Sequence, residues 1–291
     1  METLQFPACE MIIAKVKSSL DTFLDKCCTM IAKHPMLVLH LLIIFGLLLR
    51  FIRLWIEDFQ PRDSAFYLEN AQFIIDRGWL EFYKTGIEAF KNMPPGFFLI
   101  LQTGHAMGLP MPVTGYVVLV FSYFLLMYSV YFGMVALWDD CRYALLGVFF
   151  AATVPWLLRL GVFIIRDAPY FSCGAAALAA GAFAVTREQY RYWLLFSVFS
   201  FCAIMLRKEG FELLMVMGIW SVASTIVQLV RRRWRSALFS AASGIMVMVL
   251  TLFPLLIIER IFRTRYGSSW EVIPTTWAGY IWSMFKLLLR S

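Results

Sequence analysis

Charge is scarce in this chain: Asp, Glu, Lys and Arg make up 15% of 291 residues, against roughly 25% in soluble domains. That shortage excludes an ordinary water-facing surface. Metal-ligand spacing is missing as well. His34, His40 and His105 form no HExxH or clustered pattern, so no protein-built metal site is visible. Cys9, Cys27, Cys28, Cys141, Cys173 and Cys202 show no CxxC pairing, and they read as apolar residues without a disulfide framework. The apolar runs lack the polar–apolar alternation of membrane β-strands, which excludes a barrel. Internal repeats and low-complexity linkers are absent too, which makes the chain one domain.

What is present is hydrophobic. Apolar residues reach 61% and aromatic residues 17%, with mean hydropathy +0.73. The fold class is therefore all-α and polytopic in a membrane. Net charge is +7. In a soluble domain that excess would suggest nucleic acid. Here the aromatics sit in apolar spans, so the partners are anionic lipid headgroups and phosphate-bearing substrates, with no nucleic acid.

Runs near 35–56, 113–138, 143–165, 168–186, 190–206, 211–230 and 236–258 each approach the roughly 20 residues of a span, giving seven. The segment 94–109 contains Gln102, His105 and several glycines and is short for a hydrocarbon core of about 30 Å. If it does not cross and the N-terminus is cytoplasmic, Arg142, Arg187, Arg191, Arg231, Arg232, Arg233 and Arg235 all face the cytoplasm, as the positive-inside rule requires. If it crosses, they move to the side opposite the N-terminal lysines.

Non-crossing puts Asp63, Arg166, Asp167, Arg207, Lys208, Arg263 and Arg265 together on the outer side. Cations there run against the rule. Either an anionic ligand holds them, or they snorkel and pair with acids such as Glu57, Asp58 and Glu209. Residues 1–34 carry Ile12, Val16, Leu20, Phe23, Leu24, Cys27 and Ile31 at helical spacing, an amphipathic surface anchor rather than a cleavable signal peptide. Residues 259–291 form an outer tail, with Trp277, Tyr280, Ile281, Met284, Leu287 and Leu288 on one interfacial helix face.

The first outer loop, about 57–112, is too long for a simple connector. Ala65, Leu68, Ala71, Gln72 and Ile75 predict a helix beginning after Asp63 and ending at Asp76-Arg77-Gly78. Pro94-Pro95 opens a second short helix.

This order of elements carries a resemblance. An acid with a nearby Tyr, an amphipathic helix ending in Gly, and a Pro-Pro-aromatic helix (Asp63, Tyr67, Ala71, Gly78, Pro94, Pro95, Phe97) resembles the start of GT-C glycosyltransferases. The protein mannosyltransferase and aminoarabinose transferase branch, family 39-like, is the most similar. Residues 155–167, followed by Ala168-Pro169, look like that family's second outer loop, and Leu206-Arg207-Lys208-Glu209-Gly210 resembles its basic turn. The likeness covers 35–258, the seven-span module. Two features depart from it. Arg62 precedes Asp63 where many members carry a second acid, and most members continue into further spans and an outer domain.

The resemblance implies transfer of a sugar from a polyprenyl-phosphate carrier to an outer-face acceptor, with inversion. The enzymes it resembles work without a nucleotide or a built-in metal, and a divalent ion stays compatible. It makes Asp63 the general base, whereas capping chemistry alone makes Asp63 a helix N-cap. Arg166, Arg207, Lys208 and Arg265 are the phosphate candidates. Asp167 is a second acid that orients the acceptor or simply pairs with Arg166. Glu209 beside Lys208 is equally two-sided. Tyr67 and Trp270 stack on a sugar or belong to the aromatic belt. Asp139-Asp140 lacks DxD spacing and reads as a solvated cytoplasmic turn.

The implied setting is a bacterial inner membrane with the site on the outer face, with or without a membrane-protein partner. Two other functions compete. A lipid-linked saccharide transporter needs charges inside its spans, and here the charges sit at span ends. A non-catalytic assembly partner is the third.

Overall fold

Apolar runs of span length become helices because a bilayer leaves no other way to satisfy the backbone. The computed structural model describes Thr29 and residues 33–56, 62–85 and 93–268, and its regular elements are all helical. In chain order they are α1 (Pro35–Ile56), α2 (Arg62–Thr85), α3 (Gly96–Ala106), α4 (Met111–Trp138), α5 (Cys141–Thr153), α6 (Pro155–Leu160), α7 (Asp167–Arg187), α8 (Tyr190–Leu206), α9 (Phe211–Val230) and α10 (Trp234–Tyr266). A 3₁₀ turn, Lys208–Gly210, joins α8 to α9.

Among the described residues, five segments are long and apolar enough to cross a membrane: Pro35–Ile56, Met111–Trp138, Asp167–Arg187, Lys208–Val230 and Trp234–Tyr266. Outward faces such as Leu37, Leu41, Ile44, Leu48, Phe51 and Trp55 on α1 are exposed. An apolar surface that extensive is incompatible with water. The chain is a multi-pass integral membrane protein.

Two shorter apolar helices, α5 and α8, run among these five. The run expected at 143–165 is not one helix. Pro155 has no N–H and pushes the residue before it out of the helical region. Val154 accordingly sits at φ −57°, ψ 122°, so α5 stops after 13 residues and α6 starts afresh. The run expected to end near 258 instead continues to Tyr266, giving α10 33 residues. At 1.5 Å per residue α10 is about 50 Å long and overshoots the hydrocarbon core. Gly267 ends it at φ +70°, with its N–H bonded to the Arg263 carbonyl and that of Ser268 to Phe262, a left-handed glycine C-cap.

Side-chain contacts fix the helix directions. Tyr123 donates to the Ile43 carbonyl at 2.9 Å and His40 meets Tyr128 at 2.9 Å, so α1 and α4 are antiparallel. Ser224 meets Ser240 at 2.9 Å while Ser221 lies against Gly244, making α9 and α10 antiparallel as well. Small residues allow the closest approaches. A Cβ on Gly133 would lie 3.3 Å from Ala179, and one on Gly244 would lie 2.3 Å from Ser221 Oγ, the small-residue packing typical of membrane helices.

α2 follows its sequence expectation as far as Gly78, where φ +81° breaks it. Only glycine adopts that value without strain. A second helical piece then continues to Thr85, beyond the expected end. Its Trp79 packs edge-on against Phe262 at 5.0 Å and Phe82 against Phe98 at 5.7 Å. These rings hold α2 between α3 and the far end of α10. α3 has 11 residues, about 16 Å, which is half of a crossing. The interfacial helix expected around 277–288, the N-terminal helix expected within 1–34 and Trp270 lie outside the described residues.

Candidate functional site

Three segments meet at one end of the bundle: the start of α2, the turn at 161–166 leading into α7, and the turn after α8. Arg207 shapes the last of these. Its backbone is extended (φ −148°, ψ 141°), which stops α8, and Lys208–Gly210 then forms the 3₁₀ turn. Gly210 is needed for closeness. A Cβ there would lie 2.6 Å from the Ala203 carbonyl carbon and 2.6 Å from Ile204 N. Gly210→Ala is expected to lower stability by about 1–3 kcal/mol and displace the turn, measured as a fall in unfolding temperature in detergent.

The side chains close an ion triad. Arg207 Nη1 donates to Asp167 Oδ1, Nε donates to Glu209 Oε2 at 3.2 Å, and Nη2 donates to Glu209 Oε1 at 3.0 Å. Its guanidinium lies 5.4 Å from the Tyr170 ring centroid. The fork on Glu209, aided by the Asp167 charge, raises the Arg207 pKa above its ordinary value. Arg207 is permanently charged. A planar fork with five donors can bridge two carboxylates in this way, and an ammonium cannot.

Tyr67 ties α2 to this triad. It is buried, edge-on to Phe97 at 5.2 Å and tilted against Phe98 at 5.9 Å. Burial pushes its hydroxyl pKa up. The charges of Arg166, Asp167, Asp63 and Arg207 all act on that hydroxyl, the two arginines downward and the two acids upward. Four of the residues singled out from sequence therefore share one electrostatic neighbourhood with a fifth.

Asp63 lies in the first turn of α2, is exposed, and accepts no hydrogen bond from a described residue. The N-cap expectation does not describe it, because it sits inside the helix and closes no N–H. The helix N-terminus favours its charge. The Arg166 side chain is half-buried, makes no hydrogen bond or ion pair among the described residues, and reaches Tyr67 and Glu209 through its charge. Lys208 is half-buried and equally unpaired among them.

Other expectations change. Asp167 pairs with Arg207 rather than with Arg166, and Glu209 pairs with Arg207 rather than with Lys208. Arg265 is exposed at the end of α10, 5.8 Å from the Tyr266 ring, with no recorded contact to the triad. Asp140 is more than a solvated turn: it caps α5 by accepting from Arg142 N at 2.8 Å. Among the described residues, no three His, Cys, Asp or Glu side chains converge as a metal would require.

Sequence reasoning missed Arg50. It is 5% exposed in the apolar helix α1, so the expectation that charges sit only at span ends does not hold. Nη1 donates to the carbonyls of Gly46 (3.0 Å) and Ala152 (3.5 Å), and Nη2 donates to that of Leu157 (3.3 Å). Its guanidinium lies 4.0 Å from the Tyr123 ring centroid. Ala152 and Leu157 flank the Pro155 break, so Arg50 bridges the two helices across it; the Leu157 carbonyl also accepts from Gly161 N at 3.1 Å. The one available signal was an ionisable residue inside a span.

No family model, curated protein or solved structure matches this chain. A functional reading must come from the cluster itself and from the order of its motifs.

Proposed function

We propose that this protein is a GT-C-like membrane glycosyltransferase that uses a polyprenyl-phosphate-linked sugar. The observation that carries the reading is the exposed Asp63 carboxylate, unbonded to any described residue, in one electrostatic neighbourhood with Tyr67, Arg166, Asp167 and Arg207. In this reading α5–α6 and α8 complete seven passes. The basic end (Arg142, Arg187, Arg191 and Arg231 to Arg235) faces the cytoplasm, and the Asp63 end faces outward.

The acceptor oxygen attacks the anomeric carbon from the side opposite the phosphate. Asp63 takes the acceptor proton, and the electron pair of the breaking C–O bond leaves on the phosphate oxygen. The products are an inverted glycoside and polyprenyl phosphate. Arg166 and Lys208, the cations without a carboxylate partner, meet the leaving phosphate. Arg207 fixes Asp167 and Glu209, and the two acids orient the acceptor. Tyr67 keeps its proton and presents a ring beside the sugar.

The test supplies membranes with radiolabelled sugar on polyprenyl phosphate or on a nucleotide. Label leaving only the lipid donor supports the reading. Label leaving only the nucleotide sugar contradicts it. Arg50 favours a second reading, since a buried charge within a span is a feature of transporters. A transporter would carry the labelled lipid across sealed vesicles with its glycosyl bond intact.

A further inference from the structure

Arg50 is a cation in a membrane span with no carboxylate partner among the described residues. Backbone carbonyls and the Tyr123 face take part of its charge and occupy Nη1 and Nη2. Nε is different: it is buried and has no hydrogen-bond partner among the described residues. A buried donor left in that state is costly, so the guanidinium is under-satisfied as it stands.

Gly161 packs directly against the guanidinium. A Cβ there would stand 2.5 Å from Nε, so only glycine allows this approach. Arg50, Leu119, Tyr123 and Gly161 line two adjoining cavities, of about 20 Å³ and about 200 Å³. Leu47, Phe51, Leu54 and Val120 also line the larger one. Phe51 and Val120 are 62% and 42% exposed on the outward face of the bundle, which places the mouth toward lipid. The cavity exceeds by several-fold the roughly 30 Å³ share of one water.

We propose that Arg50 holds the phosphate of a membrane lipid, with the lipid chain lying over α1 and α4 between Phe51 and Val120. The phosphate supplies the negative charge that Arg50 lacks among the described residues. The apolar walls and the lipid-facing mouth select an anion that carries its own hydrocarbon. This site goes beyond the transfer reading and does not rest on it.

The test uses the full chain in a phosphate-free maltoside detergent. Native mass spectrometry follows added phosphatidylglycerol, dioleoylglycerol or inorganic phosphate. Wild type is expected to hold one phosphatidylglycerol at least tenfold more tightly than dioleoylglycerol or inorganic phosphate. Val120→Trp blocks the mouth from the lipid side, away from the Arg50 carbonyl contacts. It should weaken phosphatidylglycerol binding at least tenfold while the unfolding temperature holds. Arg50→Lys, which keeps the charge but removes the planar fork, should weaken it too. Equal binding of phosphatidylglycerol and dioleoylglycerol overturns the proposal, as does wild-type binding by both variants. Inorganic phosphate binding as tightly as phosphatidylglycerol would also overturn it, by making the site one for a soluble anion.

Discussion

Asp63→Asn is expected to lower glycosyl transfer by roughly 10²–10⁴-fold, the contribution of a positioned general base, with folding nearly intact. The substitution keeps size and polarity and removes only basicity. Asp63 is exposed and bonds to no described residue, so the structural loss is limited to the favourable charge at the α2 N-terminus, about 0.3–1 kcal/mol. Initial rates should fall in kcat while donor binding stays close to wild type. A variant that transfers sugar at the wild-type rate removes Asp63 from the chemistry. A variant that fails to fold shows that its role is structural.

Arg207→Met is expected to damage both stability and activity. The change leaves Asp167 and Glu209 facing each other without the cation that bridges them. Asp167 is the less exposed of the two acids and carries most of the penalty, about 1–3 kcal/mol for an unsatisfied polar group. The Glu209 share is smaller because water reaches its carboxylate. Arg207→Lys restores charge without the fork and should recover part of the stability and little of the geometry. A double-mutant cycle of Arg207→Met with Asp167→Asn should show a coupling of about 0.5–3 kcal/mol. Strict additivity would mean that the pair does not hold the turn.

Much of the helical layout is legible in hydropathy, because a span is a long apolar run and little else. α1 coincides with its run, and α4, α7, α8 and α9 lie within two residues of theirs. The 143–165 run misled because averaging over apolar residues hides Pro155, whose effect is local and geometric. Arg50 was hidden in the same way, as one of two arginines, with Arg53, in a 22-residue apolar helix.

The site divides along a similar line. Asp63, Tyr67, Arg166, Asp167 and Arg207 could be chosen because ionisable and aromatic groups at helix ends stand out against apolar sequence. Their partners could not be read. Asp167 and Arg207 are 40 residues apart, and the sequence neighbours Arg166 and Lys208 offered pairings at no distance at all. The packing of α7 against α8 chooses the distant pair, and the extended backbone at Arg207 turns its fork between the two acids. One of the four phosphate candidates, Arg207, is thereby occupied, and Arg166 and Lys208 become the better candidates.

The most direct measurement follows the fate of the donor phosphate. Purified wild type and Asp63→Asn would be reconstituted in lipid nanodiscs with polyprenyl-phosphate sugars and an acceptor extract, and free polyprenyl phosphate quantified by mass spectrometry. Wild type should release polyprenyl phosphate in step with sugar transfer, and Asp63→Asn should release roughly 10²–10⁴-fold less. Intact donor throughout, with the lipid bound by both proteins, would contradict glycosyl transfer and leave the cluster as a binding site.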